Sequence, residues 1–319
     1  MTTRWWRGCR AATIVAVAGG VSACAGHPPG SAECVARPVA SLPLGFVGNV
    51  PFVSATLDGH PVSLMIDLGS SYSVLTEAAA TRLQLSRTPV DIRMMVGVGG
   101  LSRRLAATAD HLRIGALDRP DQRFEVADAR LGTRKIPIDG LIGLDVLRRF
   151  DLDLDMPHAR VALNKPSGCD GPPPGWEASA VRVPVRNPVP GNTLMALPAT
   201  LDGHDMTALL DSGASMTMIG GEAARHAGYT AGADASGPPV ALAGVGEEHP
   251  TATRYRIRSL GAGGDTVANG LFMVGPVMPY FDLILGADFL HVHRVWIPAD
   301  AGAVWFGPRA LPAKVAAAP

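Results

Sequence analysis

Leu64-Met65-Ile66-Asp67-Leu68-Gly69-Ser70-Ser71 and, 144 residues later, Ala208-Leu209-Leu210-Asp211-Ser212-Gly213-Ala214-Ser215 decide how this chain folds. Each is an apolar run with no polar face, the pattern of a strand buried on both sides, and each ends in an Asp. Just upstream, Leu57-Asp58-Gly59-His60 recurs as Leu201-Asp202-Gly203-His204 at the same offset. Asp-Gly supplies the positive φ of a two-residue turn, so hairpins are expected over 53–66 and 199–210. Downstream, Gly97-Val98-Gly99-Gly100 is echoed by Gly244-Val245-Gly246 at an offset of 147. Asp139-Gly140-Leu141-Ile142-Gly143-Leu144-Asp145-Val146-Leu147 then matches Asp282-Leu283-Ile284-Leu285-Gly286-Ala287-Asp288-Phe289-Leu290 at 143. Three signals in one order at nearly one spacing make the chain a tandem repeat.

Working outward, each half reads as short strands and tight turns. Short helices are expected at 77–83 and 144–149, and again at 222–227 and 287–292. Alternating strand pairs should follow the second helix of each half, at 152–154 with 160–163 and at 295–297 with 303–306. The 319 residues include 37 Gly and 27 Pro, which argues against long helices. A hydrophobic content of 47%, a charged content of 18% and a formal charge of zero exclude a disordered chain and a nucleic-acid binder working through bulk positive charge. Gly168-Cys169-Asp170-Gly171-Pro172-Pro173-Pro174-Gly175 can continue neither helix nor sheet and marks the boundary between halves. The expected divisions are a first lobe at 42–167, a linker at 168–177, a second lobe at 178–310 and a frayed tail at 311–319.

The N-terminus carries Arg4, Arg7 and Arg10 before an apolar stretch over 11–23, which is an export-signal pattern. That stretch falls short of the roughly 18 residues a spanning helix needs. Val21-Ser22-Ala23-Cys24 resembles the lipobox of bacterial lipoproteins and implies cleavage after residue 23 with lipid on Cys24. The alternative, an A-x-A site at Ala23-Cys24-Ala25, would release a soluble protein to the periplasm or the medium. Residues 24–41 are expected to serve as anchor and tether. Cys9 leaves with the signal, so Cys34 and Cys169 remain, either as a disulfide closing the first lobe or as two free thiols.

A buried strand ending in Asp-x-Gly, then a Gly-rich hairpin, then apolar-apolar-Gly before a short helix is the order of parts in an aspartic protease lobe. The sequence resembles the retropepsin-like aspartic proteases, and 141–149 resembles the retroviral-type protease domain of the DNA-damage-inducible protein family. The resemblance spans 42–306, once per half. It implies an all-β fold of two similar β-barrel lobes with a few short helices, facing each other across a cleft about a pseudo-two-fold axis. It also implies catalytic Asp67 and Asp211 supported by Gly69, Ser70, Ser212 and Gly213, with flaps at Val98, Gly99, Gly100, Val245 and Gly246. Duplication within one chain should make a monomer sufficient. The implied activity is that of an exported aspartic endopeptidase needing no cofactor or metal, its partners a peptide substrate and, through the anchor, a bilayer.

Two carboxyls within hydrogen-bonding distance cannot both ionise cheaply, so they share a proton: one serves as base toward water and the other as acid toward the carbonyl oxygen. The family resemblance implies that Ser70 offers a hydroxyl to Asp67, whereas Ala214 offers none to Asp211. Asp67 is therefore expected to stay negative and Asp211 to hold the proton. One departure stands out. The residue after each Asp in this family carries a hydroxyl that bonds across to the other lobe; Ser212 can do this and Leu68 cannot, at a cost of about 0.5–1.5 kcal/mol. The alternative function is a catalytically silent lipoprotein that binds extended peptides in the same cleft.

His60 and His204 sit beside turns, without a clustered ligand set, and read as solvated. Asp145 and Asp288 lie at the starts of short helices and read as caps. The Gly-rich stretches lack the third Gly and the strand-to-helix context of a dinucleotide loop.

Overall fold

A computed structural model describes residues 34–89, 95–97, 100–102, 105–129, 131–169, 171–187, 193–244 and 249–310. The segment expected to be an export signal, Cys24 and residues 311–319 lie outside these residues.

Asp58 and Gly59 take φ values of 50° and 84°, and Asp202 and Gly203 take 50° and 82°. Positive φ at both central positions matches the twist of paired strands. Val50–Leu57 accordingly pairs antiparallel with His60–Ile66, and Ala196–Leu201 with His204–Leu210. The second strand of each hairpin then meets a three-residue strand in parallel, with Ile66 opposite Ile142 and Leu210 opposite Leu285. Those short strands, Gly140–Ile142 and Leu283–Leu285, are buried throughout, since each has a neighbour on both edges. The apolar runs of the sequence are thus the centre of each lobe.

Closure follows from one further pairing per lobe. In the first, the order runs through 50–57, 60–66, 140–142, 74–76, 117–127 and 105–114, and returns where Leu57 meets Leu112. In the second it runs through 196–201, 204–210, 283–285, 218–220, 265–275 and 251–262, and returns where Leu201 meets Leu260. Two β-barrel lobes of the same topology result, with four short helices among the described residues, at Glu77–Arg82, Leu144–Leu147, Gly221–His226 and Ala287–Leu290. The all-β, two-lobe fold is as the sequence implies.

A six-stranded sheet joins the lobes, in the order 38–43, 160–164, 151–155, 294–297, 303–306, 181–184. Each half supplies three strands, and the seam is the pairing of Leu152–Leu154 with Val295–Ile297. Leu152, Leu154, Val161, Leu163, Val295 and Ile297 enter a hydrophobic cluster that runs through both lobes. On the other face, Asp153 accepts from Trp176 Nε1 at 3.0 Å and from Arg294 Nε and Nη2 at 2.9 and 2.7 Å. Residues 38–41, expected in the tether, belong to this sheet instead: Pro38–Pro43 pairs with Arg160–Asn164 and buries Ala40. A strand at a sheet edge needs little burial and tolerates Pro, so its sequence carries no core pattern. The described residues of the 168–177 stretch form neither helix nor strand, yet Trp176 among them is buried against Trp296 with ring centroids 6.2 Å apart. Cys34 and Cys169 are joined in a disulfide with Cα atoms 6.0 Å apart.

Candidate active site

Asp67 and Asp211 each stand one residue beyond a buried strand, held there by a backbone bond that prolongs the parallel pairing. Asp67 N donates to Ile142 O and Asp211 N to Leu285 O, both at 3.0 Å. The two loops that follow face each other, each glycine against the other lobe's carboxyl, and the two carboxyls are close enough to couple. Each carboxylate is also cradled by its own loop. Gly69 N donates to Asp67 Oδ1 at 2.9 Å, and Gly213 N and Ala214 N donate to Asp211 Oδ1 at 2.8 and 3.0 Å.

The glycines of the two Asp-x-Gly motifs are needed for space and not for an unusual backbone. Neither has a positive φ. A Cβ on Gly213 would stand 2.6 Å from the Asp67 carboxyl carbon, and one on Gly69 would press closer still on Asp211. Each lobe's glycine therefore makes room for the other lobe's acid.

Ser212 ties the loops together. Its hydroxyl accepts from Leu68 N at 3.0 Å and donates to Ile66 O at 2.6 Å, both across the lobes and both fully buried. Leu68 offers no hydroxyl in return; its side chain is buried in the cluster shared by both lobes. A further cross-lobe bond, from Asn49 Nδ2 to Ser215 O at 3.0 Å, comes from a turn residue with no counterpart signal in the sequence.

Ser70 does not act as expected. Its hydroxyl donates to Tyr72 O at 2.7 Å, a local turn that outcompetes the carboxylate. The hydroxyl that would favour ionisation of Asp67 is therefore engaged elsewhere. Burial raises Asp67 well above the usual carboxyl range, and the neighbouring Asp211 charge raises it further. Burial also raises Asp211, but the amides of Ala214 and Gly213 and the bond from Asp67 hold its rise down. The two acids therefore titrate as a pair that shares one proton between them. Such a pair can take a proton at one oxygen while releasing another nearby.

In the first lobe, Met95–Gly97 pairs with Gly100–Ser102, closing at Gly97 and Gly100. Val98 and Gly99 at its tip, like Val245 and Gly246, lie outside the described residues. In the second lobe, Val240–Ala241 pairs with Thr251 and Ala252, and Leu242 N donates to Pro250 O at 2.8 Å. His60 and His204 are exposed beside their turns. Among the described residues no group of three His, Cys, Asp or Glu is placed to hold a metal. Asp145 and Asp288 do more than cap: their carboxylates accept the hydroxyls of Ser73 and Thr217. Sequence reasoning missed both hydroxyls, although they too are 144 residues apart.

Comparison with known families separates the halves in the same way. The aspartyl protease family matches residues 53–146, and the gag-polyprotein aspartyl protease family matches residues 197–292. No curated protein matches the chain. Two family matches in tandem, one over each barrel and each spanning one Asp-x-Gly loop, mean that the chain belongs to the retropepsin-like aspartic proteases.

Proposed function

We propose that this protein is an aspartic endopeptidase in which Asp67 and Asp211 activate water. The observation that carries this reading is the juxtaposition of two carboxyls, one from each lobe, each cradled by the glycine amide of its own loop and packed against the glycine of the other. Ionised Asp211 takes a proton from water as the water oxygen attacks the scissile carbonyl carbon. Protonated Asp67 gives its proton to the carbonyl oxygen. The C–N bond then breaks as the proton on Asp211 passes to the departing amine and the one on the diol oxygen returns to Asp67. Acid and base are both restored. Both acids come from one chain, so a monomer suffices.

The test is digestion of a peptide library with and without a hydroxyl-bearing transition-state mimic. Inhibitable cleavage is expected, and Asp67→Asn and Asp211→Asn should each abolish it while leaving the fold intact. Full activity in both variants would refute the dyad. The one-sided cross-lobe bond left by Leu68 favours a second reading, a silent member that holds an extended peptide; cleft binding without hydrolysis by the wild type would select it.

The basic and apolar N-terminal segment with its lipobox supports export to the bacterial envelope and attachment of lipid at Cys24. Cys24→Ala should then move the protein from the membrane to the soluble fraction or block its processing. Equal solubility of both forms would favour the soluble exported form.

A further inference from the structure

Behind the second Asp-x-Gly loop, three donors converge on one oxygen. Thr217 N, Thr217 Oγ1 and Phe289 N donate to Asp288 Oδ1 at 2.7, 2.8 and 2.8 Å. Thr217 Oγ1 in turn accepts from Gly286 N at 3.1 Å. The adjacent Ala287 N donates to Ala214 O at 2.7 Å, so the start of the short helix is stitched to the loop that cradles Asp211. Gly286 lies so close under Met216 that a Cβ would stand 2.5 Å from its carbonyl carbon. The first lobe repeats the arrangement. Ser73 Oγ donates to Asp145 Oδ1 at 2.8 Å and accepts from Gly143 N at 3.1 Å. Leu144 N donates to Ser70 O at 2.9 Å, and a Cβ on Gly143 would meet the Tyr72 carbonyl.

A helix cap on the surface requires none of this. Asp145 and Asp288 are sequestered enough for burial to raise the pKa of both, a cost that capping alone would not justify. The carboxylate, hydroxyl and glycine amide recur in both halves even though the hydroxyl has changed from Ser73 to Thr217. A carboxylate oxygen can accept several donors at once, and its bonds are stronger than neutral ones.

We propose that Asp145 and Asp288 are positioning residues for the dyad, each clamping the loop that carries one aspartate to the short helix behind it. They touch neither the acids nor a substrate; they act through Ser73 and Thr217. The proposal rests on the peptidase reading for its effect on rate, since displacing reacting groups by a fraction of an ångström slows a reaction without abolishing binding. It does not rest on that reading for its effect on loop order.

The experiment compares Thr217→Val, which removes only the hydroxyl at nearly constant volume, with Asp288→Leu and Asp288→Asn. Thr217→Val and Asp288→Leu should lower kcat per folded molecule about 10- to 50-fold with KM within about threefold of wild type. Asp288→Asn keeps the accepting oxygen and should retain at least about a third of kcat. Amide hydrogen exchange at Gly213 and Ala214 should accelerate about tenfold or more in Thr217→Val and stay near wild type in Asp288→Asn. Ser73→Ala should do the same to Gly69 and Ser70. A lowered melting temperature with kcat per folded molecule unchanged would overturn the proposal and leave a purely structural role. If the wild type cleaves no peptide, the peptidase reading alone fails. Unchanged exchange at Gly213 and Ala214 in Thr217→Val would then still overturn the clamp.

Discussion

Gly69 and Gly213 do for the site what no other residue type can, because each faces the carboxyl of the opposite lobe. Gly213→Ala would drive a methyl to within 2.6 Å of the Asp67 carboxyl carbon, displacing the acid or parting the loops. Its kcat/KM should fall by about 100-fold or more while the circular dichroism of the folded protein is retained. Asp67 allows a second prediction at this scale, through stability. Its folded pKa lies well above the ordinary 3.8, so folding favours its protonated form. That contribution is fully present below pH 3.8 and is lost as pH rises through the folded value. Asp67→Asn is never ionised and escapes the loss, so it should melt at a higher temperature than wild type at pH 7. The difference should vanish below about pH 4. A constant difference across that range would mean that Asp67 is not held neutral.

Ser212 shows how a single hydroxyl sets the relation of two elements. Ser212→Ala strands Leu68 N and Ile66 O in a buried seam and should cost about 1–3 kcal/mol in urea denaturation. Leu68→Ala should cost a similar or larger amount, about 2–4 kcal/mol, by leaving a cavity in the shared core. The lobe without a hydroxyl thus contributes apolar packing to the same seam. At this scale much of the fold is legible in the sequence, because the deciding signals are local. Asp58-Gly59 and Asp202-Gly203 specify their turns, and the apolar runs before Asp67 and Asp211 specify strands with neighbours on both sides. Pro38–Pro43 is not legible, since it is a strand only by virtue of pairing with Arg160–Asn164. Nor is the destination of the Ser70 hydroxyl, a choice between Tyr72 O and the Asp67 carboxylate that the shape of the loop decides.

At the scale of the whole molecule, the central sheet and the shared core make the two lobes one cooperative unit. Calorimetry should give a single thermal transition, since neither barrel can unfold without exposing the strands at the 151–155 and 294–297 seam. Arg294→Ala would leave Asp153 without its charged partner on that sheet. Because Arg294 is partly exposed, the loss should be about 2–3 kcal/mol, below that of a fully buried pair. Reducing the Cys34–Cys169 disulfide, which spans a sequence separation of 135, should cost up to about 4 kcal/mol and lower the same transition. The unequal dyad carries one more implication. A site assembled from two identical subunits has no left or right, and a peptide lying across it can run either way. Here Leu68 stands where its counterpart is Ser212, and only one of the two loops sends a hydroxyl across to the other. The cleft is therefore handed. A peptide lying across the two loops would meet Leu68 and Ser212 in the opposite order when reversed, so tandem duplication would give the proposed peptidase a sense of direction along its substrate.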